Sequence, residues 1–278
     1  MKRLILALLV VVSFASFSNA QNLGPATPVV NISGGSGSAN LGVGYSYITS
    51  SFDVDDINLG DVKIDVGGFE FSAGDIEPIL NSINVDFGDI EFDQNQAYTH
   101  VGFVSGGLGI PRYEVFGRIG VTDFEADDGD FDSDAEMIFA VGMRSEFYQG
   151  QIFGIGGVLQ ASYVDSFSDS TTINIDGETF KAKASIEDIY DAELGIPVQA
   201  KINNALLYLG PVFYLSGADM DFKASSGIGS IKFDTEMDED RNVGVFGGLA
   251  WRTGNLSFEI EGKYKSDYSA GGFFSYVF

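Results

Sequence analysis

The sequence predicts an all-β fold: a membrane-spanning antiparallel up-and-down β-barrel of about ten strands, with extended hairpins on one side. Three observations predict it. Segments of alternating apolar and polar residues recur along the chain, each long enough for the roughly 9 to 11 residues that a tilted membrane strand needs. Tight turns alternate with long connections. The 278 residues also combine 36 glycines, 24 phenylalanines and 12 tyrosines with a net charge of −25, while mean hydropathy stays at +0.11; apolar and acidic residues must therefore be kept apart along the chain.

Met1-Lys2-Arg3 gives a basic start, Leu4 to Val12 is an apolar run shorter than the ~20 residues of a membrane helix, and Ser18-Asn19-Ala20 supplies small residues before Gln21. Residues 1–20 therefore read as a secretory signal peptide, 21–38 as a flexible lead-in rich in Gly, Ser and Pro, and 39–278 as the barrel. An exported soluble β-protein is the rival reading. The chain has no cysteine, which excludes disulfides, thiolate metal sites and thiol redox chemistry.

Ten spans carry the strand pattern, at about 39–52, 96–110, 112–124, 135–147, 150–164, 188–202, 205–218, 241–252, 255–265 and 268–278. The ninth is the clearest. Leu256, Phe258, Ile260 and Tyr264 share one face while Ser257, Glu259, Glu261 and Lys263 share the other, as expected where one side meets lipid and the other a polar lumen. In the third, Tyr113, Val115, Ile119 and Val121 oppose Glu114, Arg118 and Thr122; in the eighth, Val243, Val245, Leu249 and Trp251 oppose Asn242 and Arg252. Any one such strand also suits a soluble sandwich, so the prediction rests on all ten together.

The last span sets Phe274, Tyr276 and Phe278 on one face and ends on an aromatic residue. This tail resembles the terminal strand of Gram-negative outer-membrane β-barrels, in which such an end is the signal read by the barrel-insertion machinery. The resemblance implies an outer-membrane location, lipid contact, the assembly machinery as a partner, and an assembly-signal role for Phe274, Tyr276 and Phe278. It also orients the chain. Short turns at Ile110-Pro111-Arg112, Tyr148-Gln149-Gly150, Asn203-Asn204 and Thr253-Gly254-Asn255 fall on the periplasmic side, and connections at about 53–95, 125–134, 165–187 and 219–240 fall outside. The fifth outer connection, near Ser266-Asp267, is short. Twelve strands result if part of 54–95 enters the membrane, and eight is the lower alternative.

The first long connection holds a repeat, residues 57–65 against 85–93, that alternates apolar and acidic residues and is expected to form paired strands continuing strands one and two, with a short helical turn over 76–83. Asp176-Gly177 predicts a two-residue hairpin turn, and 223–234, centred on Gly227 and Gly229, predicts another hairpin.

Residues 53–95, 123–136, 165–193 and 219–240 carry 12, 8, 8 and 7 acidic side chains, 35 of the chain's 40, against five lysines. Such a rim repels anions and nucleic acid and concentrates cations. Its densest run includes Asp128, Asp130, Asp132 and Asp134, carboxylates of the kind hard divalent cations favour, so Ca2+ at the outer loops is the one candidate metal; the EF-hand pattern fails, with Ala135 at its glycine position and Val141 at its final glutamate. A solvated acidic loop is the bland alternative. No other cofactor is expected.

An enzymatic site has little to build on. His100 is the only histidine, and the Asp-x-His pattern of the ten-stranded omptin proteases is missing at Tyr98-Thr99-His100, which leaves His100 a structural rim residue. The lumen face is expected to hold Glu114, Arg118, Arg144, Glu146, Glu193, Lys201, Arg252, Glu259, Glu261 and Lys263, either as a network filling the bore or as the lining of a narrow cation path. Roughly eight strands make an interior that side chains just fill, whereas roughly 16 to 18 leave a channel. Ten strands favour the filled case. The expectation is a monomeric, non-enzymatic barrel with a structural or surface-interaction, adhesin-like role; a narrow cation-selective or small-solute channel is the alternative and an outer-membrane enzyme the third.

Overall fold

The computed structural model describes residues 38–51, 63–66, 69–72, 96–110, 112–126, 133–175, 178–227, 229–238, 242–265 and 268–278. The signal peptide, nearly all of the lead-in, the expected turn over 76–83 and the second repeat copy at 85–93 lie outside the described residues. The strands in chain order are β1 (Ser38–Ser51), β2 (Lys63–Val66), β3 (Phe69–Ser72), β4 (Gln96–Ile110), β5 (Tyr113–Thr122), β6 (Glu125–Ala126), β7 (Glu136–Gln149), β8 (Phe153–Ile175), β9 (Glu178–Gly195), β10 (Val198–Ile202), β11 (Ala205–Ser226), β12 (Gly229–Asp238), β13 (Val243–Thr253), β14 (Leu256–Tyr264) and β15 (Tyr268–Val277). No helix among the described residues is long and apolar enough to cross a membrane.

Ten wall strands close a ring: β1, β4, β5, β7, β8, β9 with β10, β11, β13, β14 and β15, each antiparallel to the next. β15 returns to β1, with Asn40 opposite Val277 and Ile48 opposite Ser269. Closure leaves no open sheet edge in lipid, where unpaired backbone groups are costly. β9 and β10 form one wall strand interrupted at Ile196 and Pro197; the backbone still pairs there, with Ile196 N–H donating to Pro211 O and Gly156 N–H to Pro197 O, both at 3.1 Å.

The tight connections suit their residues. Ile202 pairs with Ala205 and Thr253 with Leu256, leaving two-residue loops. Asn203 (φ 55°) and Gly254 (φ 58°) take the left-handed conformation that such hairpins need and that Asn and Gly adopt most readily.

The pleat sorts side chains as the period-2 pattern predicts. On β5, Tyr113, Val115, Ile119 and Val121 are exposed on the outer wall while Glu114, Arg118 and Thr122 are buried. On β14, Leu256, Phe258, Ile260 and Tyr264 face out and Glu259, Glu261 and Lys263 face in. An apolar exterior around a charged interior inverts a soluble protein and fits a barrel standing in lipid.

Three wall strands run past the membrane. β8, β9 and β11 have 23, 18 and 22 residues, against the roughly 9 to 11 a membrane strand needs. Above the ring they form an outer sheet in the order β8, β9, β11, β12, β2, β3. Ile175 pairs with Glu178 and Ser226 with Gly229, so both expected hairpins form. Membrane strand and hairpin are continuous rather than separate, with the register shift between Gly217 and Asp219 and the left-handed Asp188 (φ 51°) at the transition. The inward face of this sheet is apolar and buried, with Phe167, Ile186, Met220 and Phe222.

The first repeat copy corrects an expectation. Its end lies in β2, which pairs with β12 and β3 and does not continue strands one and two. The edge of β12 presents unpaired N–H and C=O groups, and an alternating segment satisfies them by adding as a strand.

Phase on β14 predicts a mutational asymmetry. Phe258→Arg, on the lipid face, should cost ~2 to 4 kcal/mol if the site lies near the bilayer midplane, and Ser257→Arg on the opposite face should cost less. Unfolding titrations of both variants in lipid vesicles check the order.

Candidate functional site

The same alternation builds the interior. β5 turns Glu114 and Arg118 inward, β7 Arg144, β9 Asp191 and Glu193, and β14 Glu259, Glu261 and Lys263, with Lys265 just beyond its end; all nine are buried. Five are acids and four are bases, so the bore is close to charge balance.

The ion pairs cross the barrel. β11 and β13 stand between β9 and β14, yet Lys263 Nζ lies 2.7 Å from Glu193 Oε2 and 3.6 Å from Glu261 Oε1. Lys265 Nζ lies 2.7 Å from Glu193 Oε1 and 2.9 Å from Asp191 Oδ1. Gln160 on β8 donates to Glu193 at 2.8 Å and accepts from Arg118 Nη1 at 3.3 Å. One chain of contacts therefore runs from β5 through β8 and β9 to β14. Tyr208 on β11 adds a hydrogen bond to Glu261 at 2.8 Å. A second group joins Asn40 on β1 to Glu114 at 2.8 Å and Glu114 to Arg144 at 2.6 Å.

Aromatic rings fill the space between these charges. The Arg118 guanidinium lies 4.6 Å from the Phe116 centroid and 5.2 Å from Phe103, and Lys265 Nζ lies 4.4 Å from Tyr214, distances at which a cation is attracted by the ring face. Phe103 stacks on Phe273 across the β1 seam at 5.8 Å. The rings fit because glycine faces them: a Cβ on Gly142 would lie 2.2 Å from Phe116 Cζ, and one on Gly44 2.1 Å from Phe103 Cζ. Above the polar layer, Phe124 meets Phe167 with ring centroids 5.7 Å apart, both fully buried.

Of the residues expected in the lumen, Glu114, Arg118, Arg144, Glu193, Glu259, Glu261 and Lys263 are buried there. Glu146 and Arg252 are half-buried, and Lys201 is exposed near the periplasmic end, where its strand leaves the bore. Asn40, Gln160, Asp191, Tyr208 and Lys265 belong to the network without having been singled out. The signal was available for two of them: Asp191 and Lys265 stand two residues from Glu193 and Lys263, on the same face. Asp191 and Glu193 therefore leave the acidic rim to which they were counted.

Phe274, Tyr276 and Phe278 are exposed on the outer wall, and Phe278 N–H donates to Ala39 O at 2.8 Å, tying the tail to β1. Asp128, Asp130 and Asp132 lie outside the described residues and Asp134 is exposed. Among the described residues, no group of three or more His, Asp or Glu side chains is placed to hold a metal ion. His100 faces the outer wall: it pairs with Tyr47, its ring lies 5.2 Å from that tyrosine, and its Nδ1 shares a hydrogen bond with the Tyr45 hydroxyl. That is an aromatic-girdle position at the outer end of the lipid face.

No protein family matches the sequence, and no curated protein matches it. Among solved structures, the chain is similar to the translocator domain of the autotransporter NalP from Neisseria meningitidis, at 11% identity over 89% of this chain and 90% of that one, with a TM-score of 0.41. It is also similar to the outer membrane protein OprG from Pseudomonas aeruginosa (12% identity, 87% and 96% coverage, TM-score 0.38) and to the outer membrane protease OmpT from Escherichia coli (10%, 87% and 93%, 0.37). Likeness at this level says nothing about activity. The chain is an outer-membrane-type β-barrel on the grounds of its own closed pairing and apolar exterior.

Removing one partner of a buried ion pair typically costs ~3 to 5 kcal/mol, because the other charge stays buried. Glu193→Ala, which takes the 2.7 Å partner from both Lys263 and Lys265 and leaves them the contacts with Glu261 and Asp191, should lower barrel stability by up to about that amount, and Glu146→Ala by under about 1 kcal/mol. Urea unfolding followed by the loss of heat-modifiable migration measures both.

Proposed function

We propose that this barrel is a closed, non-conducting scaffold whose work is done by its outer hairpins, in a structural or surface-interaction role. The observation that carries this reading is the contact chain Arg118, Gln160, Glu193, Lys263, which links opposite walls through fully buried side chains. The apolar contact of Phe124 with Phe167 supports it from above. A narrow cation channel is the second reading, favoured by the acidic outer rim; it requires the cross-barrel network to part. The reading is non-enzymatic, and the seat of His100 among tyrosines on the outer wall supports that.

Purified protein in planar bilayers tests the choice. The closed scaffold gives no steady conductance in molar KCl, and a reproducible cation-selective step would favour the channel.

We also propose that the outward aromatic tail is the insertion signal. Phe278→Asp puts a charge beside lipid at the position that closes β15 on β1, and the amount of protein in the outer membrane should fall severalfold. Quantitative blotting of membrane fractions checks it, with unchanged, heat-modifiable protein as the contrary result.

A further inference from the structure

The five lysines of the outer connections are not scattered among the acids. Lys183 on β9 pairs with Lys223 on β11, Lys223 with Lys232 on β12, and Lys232 with Lys63 on β2. Directly opposed residues in antiparallel strands project to the same face, so four lysines stand in one row across four consecutive strands. All four are exposed, and the fifth, Lys181, is exposed two residues along β9. With strands about 4.8 Å apart, the row is about 14 Å long.

Like charges placed directly opposite one another destabilise a sheet, and the chain has ample acid with which to alternate them. Within this row, the ion pair made among the described residues is Lys232 to Asp221 at 3.4 Å, with both side chains about half exposed. Protection of a sheet edge does not account for the row, because β9, β11, β12 and β2 all lie inside the outer sheet. A row of four exposed ammonium groups, one of them paired with Asp221, on a protein of net charge −25 is suited to an external anion. It is a local exception to the anion-repelling rim that composition alone implies.

Position says which anion. On β11 the row continues the outward face of Phe213 and Leu215, which are exposed on the lipid side of the wall. Lys223 is eight residues beyond Leu215, roughly 26 Å along the strand and, at the ~40° tilt of such barrels, about 20 Å above the apolar band. The row therefore looks sideways over the membrane surface. What stands there is the saccharide portion of the glycolipids in the same leaflet.

We propose that Lys63, Lys183, Lys223 and Lys232 form a docking row for the phosphorylated sugar chain of outer-leaflet glycolipid, holding the outer sheet against the surrounding glycolipid layer. This rests on the surface-interaction reading and supplies its partner. The lysines lie outside the bore, so their test is independent of conductance.

The test titrates refolded full-length barrel in detergent with lipopolysaccharide bearing a phosphorylated core, the same lipopolysaccharide dephosphorylated, and free polygalacturonate. Four cationic contacts to an anionic surface act together and are screened by salt, so the quadruple Lys→Gln variant should bind the phosphorylated form on the order of a hundredfold more weakly than wild type at low salt. Lys223→Gln alone should give a smaller loss, and serves if the quadruple variant does not refold. Lys201→Gln, the same charge change at the periplasmic end, should leave binding unchanged, and dephosphorylated lipopolysaccharide should bind wild type no better than the quadruple variant binds the phosphorylated form. Equal binding by wild type and the lysine variants overturns the proposal. So does equally tight binding of free polygalacturonate, which would assign the row to a soluble glycan.

Discussion

A charge that the pleat turns into a ten-stranded bore must find its partner inside that bore. Backbone pairing occupies the wall, lipid lies outside it, and the interior is narrow enough for side chains to meet across it. The cost of burying an isolated charge is several kcal/mol even after relaxation, so inward acids and bases have to occur together and at matching depths. Glu193 satisfies this with Lys263 and Lys265 from β14 and its end, and with Gln160 from β8. The arginines meet the same demand with carboxylates and ring faces.

The barrel's size and its glycine content follow from this arrangement. Phe103 and Phe116 occupy space that the walls yield because Gly44 and Gly142 carry no side chain. Small inward residues beside large ones pack the bore as a soluble core is packed, with polar contacts in its middle layer and apolar ones nearer the outer mouth. The asymmetry of the wall has a separate origin: β8, β9 and β11 continue as one outer sheet, so one side of the ring stands well above the membrane and presents its own outward face.

The strands were legible because one period serves two environments. Residues such as Phe258 and Glu259 could not exchange faces without placing a carboxylate in lipid, so the alternation fixed both existence and phase for β14, and likewise for β5. The reach of β8 and β9 past the membrane was only half legible. The alternation changes phase near Asp188, and a sequence shows such a phase change as an ending rather than a bulge. Lumen residues on clear strands were readable, while Gln160 and Tyr208 were not, because neutral polar groups carry no demand for a partner until the opposite wall supplies one. The partner of β2 was also hidden: the repeat in its sequence suggests self-pairing, but the unpaired edge of β12 is visible only once the outer hairpin exists. The lysine row is a fact of register, since Lys63 and Lys232 are 169 positions apart in the chain and become neighbours only through that pairing.

The claim that the bore is sealed is tested most directly by water access at its centre. Because the chain has no cysteine, a single cysteine at Ser105, which is 3% exposed and pairs with Arg118 in the middle layer, reports on that point alone. In folded barrels, Ser105→Cys should resist a water-soluble maleimide for as long as the fold holds, while Asn255→Cys in a periplasmic turn reacts within seconds to minutes. Labelling of both at comparable rates would mean that water fills the bore, and the closed-scaffold account would have to be given up.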